Sequence, residues 1–232
     1  MSTVSYTYAD VAKMIDHSLL RPVIPTAELE AGCRLAREYD VASVCILPYA
    51  LKRCAELLAG STVAPSTTIG FPHGGHHTRV KACEAEQALA DGGVELDMVV
   101  NISKVLSGDW GYVRDDVKAV LGPVRANGAK LKVIFENCYL DETQKIRLCQ
   151  ICGELSVDWV KTSTGFGSSG ATDEDLILMR KHSPAHVQVK AAGGVRDLDR
   201  LLRVREIGCT RSGATATKEI LEEAKRRLEV RS

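Results

Sequence analysis

Val157-Asp158-Trp159-Val160-Lys161-Thr162-Ser163-Thr164-Gly165 and Val187-Gln188-Val189-Lys190-Ala191-Ala192-Gly193-Gly194 follow one plan. A short apolar run, readable as a buried strand, delivers a lysine just before a glycine-containing loop. Lysine is among the side chains least often buried. Two of them at the ends of buried strands point to an active site in which one ammonium lowers the pKa of the other. A Schiff-base lysine needs that arrangement.

Working outward, the same alternation of short apolar runs with longer helical patterns fills the chain. Strands are expected at residues 15–20, 42–47, 67–71, 95–100, 131–136, 158–162, 187–191 and 210–213. Stretches such as residues 41–47 and 96–100 are almost continuously hydrophobic, as strands covered on both faces are. Between them, Thr26 opens a helix with Leu29, Cys33 and Ala36 on one face. Leu51, Cys54, Ala55 and Leu58 form another, stopped by Gly60. Asp109 caps a helix carrying Val113, Val117 and Val120 that ends near Gly128, and Asp141 with Gln144 resembles a capping box. Thr172 and Asp197 begin two more helices, and the last carries Ile220, Leu221, Ala224 and Leu228. Eight βα-like units in 232 residues predict an α/β fold, a (β/α)8 TIM barrel forming a single domain over residues 1–232 with an extra N-terminal helix. An open doubly wound sheet is the rival, weakened because no Gly-x-Gly-x-x-Gly follows a strand.

Thirty basic and thirty acidic residues give zero net charge, and no polybasic run appears. Nucleic acid and membrane are therefore not expected as partners, while a local anion site remains open. The first twenty residues hold no apolar signal-like core, and the chain reads as cytoplasmic. Of eight cysteines, Cys33, Cys54, Cys83, Cys149 and Cys152 fall in helix-like segments, Cys45 and Cys209 in strand-like ones and Cys138 in a loop. They read as small hydrophobes, not staples.

In a barrel the chemistry collects at the C-terminal strand ends. Those positions present Asp16, Cys45, Phe71, Asp97, Asn101, Glu136, Lys161, Lys190, Gly193, Gly194 and Gly213. Free lysine has a pKa of about 10.4, and an amine nucleophile works best near 7 to 8. The drop of roughly three units corresponds to about 4 kcal/mol, within reach of burial plus a second cation. Asp97 is the natural partner of one lysine, and a structural Lys–Asp pair is the bland alternative. Arg211-Ser212-Gly213-Ala214-Thr215-Ala216-Thr217, leading from the last strand into the last helix, with Gly193-Gly194 after the preceding strand, suits a phosphate on open backbone amides. The alternative there is two tight turns. His73, His76 and His77 lack a carboxylate or cysteine at ligand spacing, so no metal is expected and a solvent-facing or substrate-side loop is preferred. Glu136 reads equally as a catalytic group or a loop anchor.

Val160-Lys161-Thr162-Ser163-Thr164-Gly165-Phe166 closely resembles the Schiff-base motif of the 2-deoxy-D-ribose-5-phosphate aldolases. Ile15-Asp16-His17-Ser18-Leu19-Leu20, Ser43-Val44-Cys45-Ile46, Gly70-Phe71-Pro72-His73-Gly74, Glu95-Leu96-Asp97-Met98-Val99-Val100-Asn101 and Val189-Lys190-Ala191-Ala192-Gly193-Gly194-Val195-Arg196 are similar to further family segments, in order, over about residues 10 to 220. The resemblance implies a class I aldolase without cofactor, working through a covalent lysine imine. Its reaction would be reversible cleavage of 2-deoxyribose 5-phosphate to acetaldehyde and glyceraldehyde 3-phosphate. By the same resemblance Lys161 forms the imine, Lys190 lowers its pKa, Asp97 moves protons through a water, and Asp16 belongs to the charge network around Lys190. Thr164, Gly165, Gly193, Gly194, Gly213, Ala214, Thr215 and Arg196 would hold the phosphate, with Ser18, Cys45 and Phe71 elsewhere in the pocket. A homodimer or higher homo-oligomer is implied as well. Three departures stand out: Ser18 for the usual Thr, Thr215-Ala216 for two serines, and Phe166 for a lysine of one branch. A Schiff-base aldolase for another phosphorylated sugar or keto acid, and a non-catalytic sugar-phosphate-binding barrel, are the competing readings.

Overall fold

In a computed structural model that describes residues 6–230, eight parallel strands close into a barrel in chain order. They are β1 (Ile15–Leu19), β2 (Ser43–Ile46), β3 (Ala64–Ile69), β4 (Glu95–Val99), β5 (Lys130–Ile134), β6 (Trp159–Lys161), β7 (Gln188–Ala192) and β8 (Arg211–Ala214). Strand β8 pairs back onto β1 through Asp16 and Gly213, which seals the sheet. The strands are joined or preceded by α1 (Tyr8–Ala12), α2 (Thr26–Glu38), α3 (Leu51–Leu58), α4 (Thr78–Ala90), α5 (Ile102–Leu106), α6 (Trp110–Ala126), α7 (Glu142–Leu155), α8 (Asp173–His182), α9 (Leu198–Glu206) and α10 (Thr217–Glu229).

The expected TIM barrel and its extra N-terminal helix are both present. Helix α1 starts at a capping box in which Thr7 and Asp10 satisfy each other's backbone amides. Side chains alternate across each strand. Leu96 and Met98, Leu131 and Val133, Val160 and Val189 are fully buried among the apolar core residues beneath the helices. The opposite face of the same strands carries Glu95, Asp97, Lys132, Lys161 and Lys190 into the barrel.

Several boundaries differ from expectation for local reasons. Gly70 takes φ +62° and ends β3 early, leaving Phe71 in the following turn. Strand β3 also starts at Ala64, through Pro65 and Ser66, a stretch with no apolar signature. Glu136 takes φ +58° and ends β5. Cys209 lies in the turn before β8 and not in the strand, and Cys138 sits in a single 3-10 turn, Asn137–Tyr139. Helix α4 has no apolar stripe. Its buried face is Lys81, Ala85 and Ala88, with Lys81 Nζ paired to Asp116 at 2.6 Å and donating to the Val99 carbonyl at 3.0 Å.

Candidate active site

Register places the key side chains. Lys161 of β6 lies beside Lys190 of β7, and Asp97 of β4 beside Lys132 of β5. Lys161 Nζ donates to Asp97 Oδ2 at 2.7 Å, and Lys190 Nζ donates to the same oxygen at 2.8 Å. Lys190 also pairs with Asp16 Oδ2 at 2.5 Å. The two amines therefore share one carboxylate, whereas a structural ion pair would give each its own.

The charges respond as their surroundings dictate. Burial holds the Lys161 amine below its ordinary pKa, Asp97 opposes this, and the Lys190 cation adds to the lowering. Of the two causes the sequence suggests, burial and a second cation, loss of hydration is the larger. For Lys190 burial is outweighed by Asp16 and Asp97, so its pKa is raised and it stays an ammonium. Against their own burial, Asp16 and Asp97 are held below the usual carboxylate range by Lys132 and Lys190, with Lys161 acting on Asp97 as well.

Above the pair opens a cavity of about 390 Å³ at the C-terminal end of the barrel. Lys161, Lys190, Asp16, Ser18 and Cys45 reach it from the strands. Its rim is made by Thr164 and Gly165 after β6, Gly193, Gly194 and Arg196 after β7, and Gly213, Ala214 and Thr215 at the end of β8. Arg21 and Phe166 line it too. Asp97 lies beneath, completely buried, and touches the cavity only through the two amines. Phe71 is not a lining residue. It meets Phe166 edge to face, with ring centroids 5.5 Å apart, and so supports the wall from behind. Burial raises the Cys45 thiol's pKa, leaving it a neutral lining group.

The rim suits an anion. Gly165, Gly193 and Gly194 line the cavity with φ of +90°, +80° and +87°, and with no side chain they leave their backbone accessible there. Arg21 and Arg196 add exposed cations. Thr164 departs from its expected phosphate-donor role, because its N–H and its hydroxyl are both given to the Glu136 carboxylate. Its oxygen in turn accepts from Phe166 N at 3.0 Å. Glu136 thus ties down the loop after β6, one of the two roles the sequence leaves open. Gly170 and Gly193 touch backbone to backbone; a Cβ on Gly170 would sit 2.5 Å from the Gly193 carbonyl carbon. The loops after β6 and β7 cross there.

Lys132 escaped the sequence reading. Its ammonium is fully buried, 2.6 Å from Glu95, 3.0 Å from Asp97 and 3.1 Å from Asp16. It lies on the interior strand face two residues before Ile134, itself in register with Lys161. Arg211, which the sequence marks only as part of the run from the last strand into the last helix, reaches down to Asp16 at 2.6 Å and Glu95 at 2.9 Å. The three histidines after β3 are exposed, and His77 caps α4 by accepting from Arg79 N at 3.2 Å.

Known proteins match this chain over the segments that build the site. Residues 10–220 match the family described as DeoC/LacD family aldolase. A deoxyribose-phosphate aldolase of Rhodopirellula baltica is 63% identical over 96% of this chain and 92% of its own length. One of Thermococcus gammatolerans is 43% identical over 93% and 97%. Among solved structures, the deoxyribose phosphate aldolase of Aeropyrum pernix, a tetramer, superposes with a TM-score of 0.86 at 26% identity, covering 94% of this chain and 92% of that one.

Proposed function

The chain belongs to the DeoC/LacD family of aldolases, and from that premise we propose that it is a deoxyribose-phosphate aldolase, a carbon–carbon lyase acting through an imine on Lys161. The observation that carries the reading is a buried amine at the end of β6, its charge disfavoured, facing a cavity with an anion-suited rim.

The open-chain substrate enters with its phosphate on the amides around Gly165, Gly194 and Thr215 and its C1 aldehyde toward Lys161. The neutral amine adds to C1, and loss of water leaves a protonated imine. A proton leaves the C3 hydroxyl, the C2–C3 bond breaks, and its electron pair moves into an enamine on Lys161. Glyceraldehyde 3-phosphate departs. Protonation at C2 restores the imine, and water releases acetaldehyde. The imine supplies the electron sink that the bond cleavage requires. Lys190, kept charged by Asp16 and Asp97, is the acid nearest the reacting amine. Asp97, held strongly ionised, passes protons across its shared oxygen and through a water, without storing one.

In this reading residues 1–232 act as one catalytic domain on a phosphorylated sugar and acetaldehyde. A homo-oligomer is supported by the tetrameric Aeropyrum pernix relative and by exposed Val23 and Tyr49. A cytoplasmic site is supported by eight free thiols. No helix among the described residues is long and apolar enough to cross a membrane.

Borohydride added with acetaldehyde is expected to place a reduced two-carbon unit on Lys161, located by peptide mass mapping. No lysine adduct, or one confined to surface lysines, overturns the reading.

A further inference from the structure

The interior below the cavity is a closed electrical unit. Its carboxylates are Asp16, Glu95 and Asp97; its basic groups are Lys132, Lys161, Lys190 and Arg211. Lys132 contacts all three carboxylates within 3.1 Å yet makes no well-aligned hydrogen bond, so it acts there as a charge. Arg211 bridges Asp16 and Glu95. Trp159 lies alongside, its ring 5.0 Å from the Arg211 guanidinium and 5.7 Å from the Lys132 ammonium.

We propose that Glu95, Lys132 and Arg211 are positioning residues that fix the charge count of the barrel interior, matching three carboxylates with three permanent cations and leaving Lys161 as the surplus amine. The proposal rests on the imine reading of Lys161. Asp16 is taken by Lys132, Lys190 and Arg211, and Glu95 by Lys132 and Arg211. Asp97 gives Oδ1 to Lys132, and its Oδ2 is already held by Lys190. Among the described residues no other carboxylate pairs with Lys161. A fourth buried cation would lack compensation, and an uncompensated buried charge is expensive, so the surplus amine sheds its proton.

The titratable groups that face this interior are Asp16 from β1, Cys45 from β2, Glu95 and Asp97 from β4, Lys132 from β5, Lys190 from β7 and Arg211 from β8. After burial, Asp97, Lys190 and Cys45 act directly on Lys161, and the others reach it through the carboxylates they hold. At the rim Glu136 is engaged by Thr164, and Arg21 and Arg196 are exposed. The directions agree, because Lys132, Lys190 and Arg211 are all held above their ordinary values and Lys161 alone is held below.

The test is the pH dependence of reductive trapping of acetaldehyde on Lys161, followed by peptide mapping. Lys132→Met removes a cation, so Lys161 charges in its place and the acid limb moves up by about one pH unit or more. Glu95→Gln removes a carboxylate, and the limb moves down. The double variant Glu95→Gln/Lys132→Met restores the balance and returns the limb to within about half a unit of the parent. Loss of packing or rigidity alone would not shift the limb in opposite directions and then cancel. Shifts of one sign, or no shift, or a double variant that fails to return, overturn the proposal. If Lys132→Met does not fold, the Glu95→Gln direction and the double variant decide. A parent enzyme with no Lys161 adduct removes the imine reading itself; a normal parent adduct with unmoved limbs overturns the charge count alone.

Discussion

Lys161 and Lys190 donate to a single oxygen, Asp97 Oδ2, at 2.7 and 2.8 Å. One atom thereby links the amine held below its ordinary pKa to the amine held above it.

Asp97→Asn breaks that link. It is expected to lower kcat by about 10²- to 10⁴-fold, the range for loss of a proton-transfer group. Steady-state release of glyceraldehyde 3-phosphate checks this, and a loss below tenfold would remove Asp97 from the proton path.

Lys190→Met takes away both the acid and a permanent cation. Turnover at pH 7 should fall by at least about 10²-fold with the far-UV circular dichroism unchanged. The acid limb of kcat/KM should rise, because Lys161 inherits the carboxylates that Lys190 leaves. Unaltered turnover would contradict its role.

Glu136→Gln weakens the anchor of the loop after β6, where Thr164 gives both donors to the carboxylate. Loss of a charge-assisted hydrogen bond of about 1.5–3 kcal/mol should raise KM for the phosphorylated sugar by about 10- to 100-fold. The rate of trapping acetaldehyde, which carries no phosphate, should stay within about twofold. Equal damage to both substrates would show that the anchor serves the amine and not the rim.

His17 gives an acid-side signature of stability. Its ring is buried against α10, with Nδ1 2.8 Å from Thr217 Oγ1, and burial lowers its pKa to about 4. The unfolded chain binds a proton there near pH 6.5 and the folded chain does not. Stability from this residue is therefore complete above pH 6.5 and declines as pH falls toward 4, by up to about 3 kcal/mol at about 1.36 kcal/mol per unit. Urea midpoints measured from pH 7.5 to 4.5 should fall for the parent protein, and less steeply for His17→Gln. The depressed carboxylates Asp16 and Asp97 act in a separate window, below the ordinary carboxylate value, where the unfolded chain takes up their protons.

The barrel and the two lysines were legible because each combines an apolar strand with a terminal charge, a local pattern. Lys132 was not, because Lys130-Leu131-Lys132-Val133 reads as a strand with one solvated face. Only closure of β8 onto β1 turns that face inward, and closure is not a local property. Helix α4 shows in the sequence only as the helix-like segment around Cys83, and its buried face stays hidden for a similar reason. Its buried anchor is Lys81, whose partner Asp116 lies 35 residues away on α6. The overestimated strand ends trace to single backbone reversals at Gly70 and Glu136. Thr164 was placed correctly, but its donors were assigned to substrate because the competing acceptor, Glu136, comes from another strand's end.

Where Gly170 meets Gly193, the two crossing segments leave no gap for even a methyl group. A directed-evolution library aimed at new aldehyde acceptors should hold that crossing invariant. It would do better to diversify Arg21, Phe166 and Thr215, whose side chains border open space and can change without moving the chain.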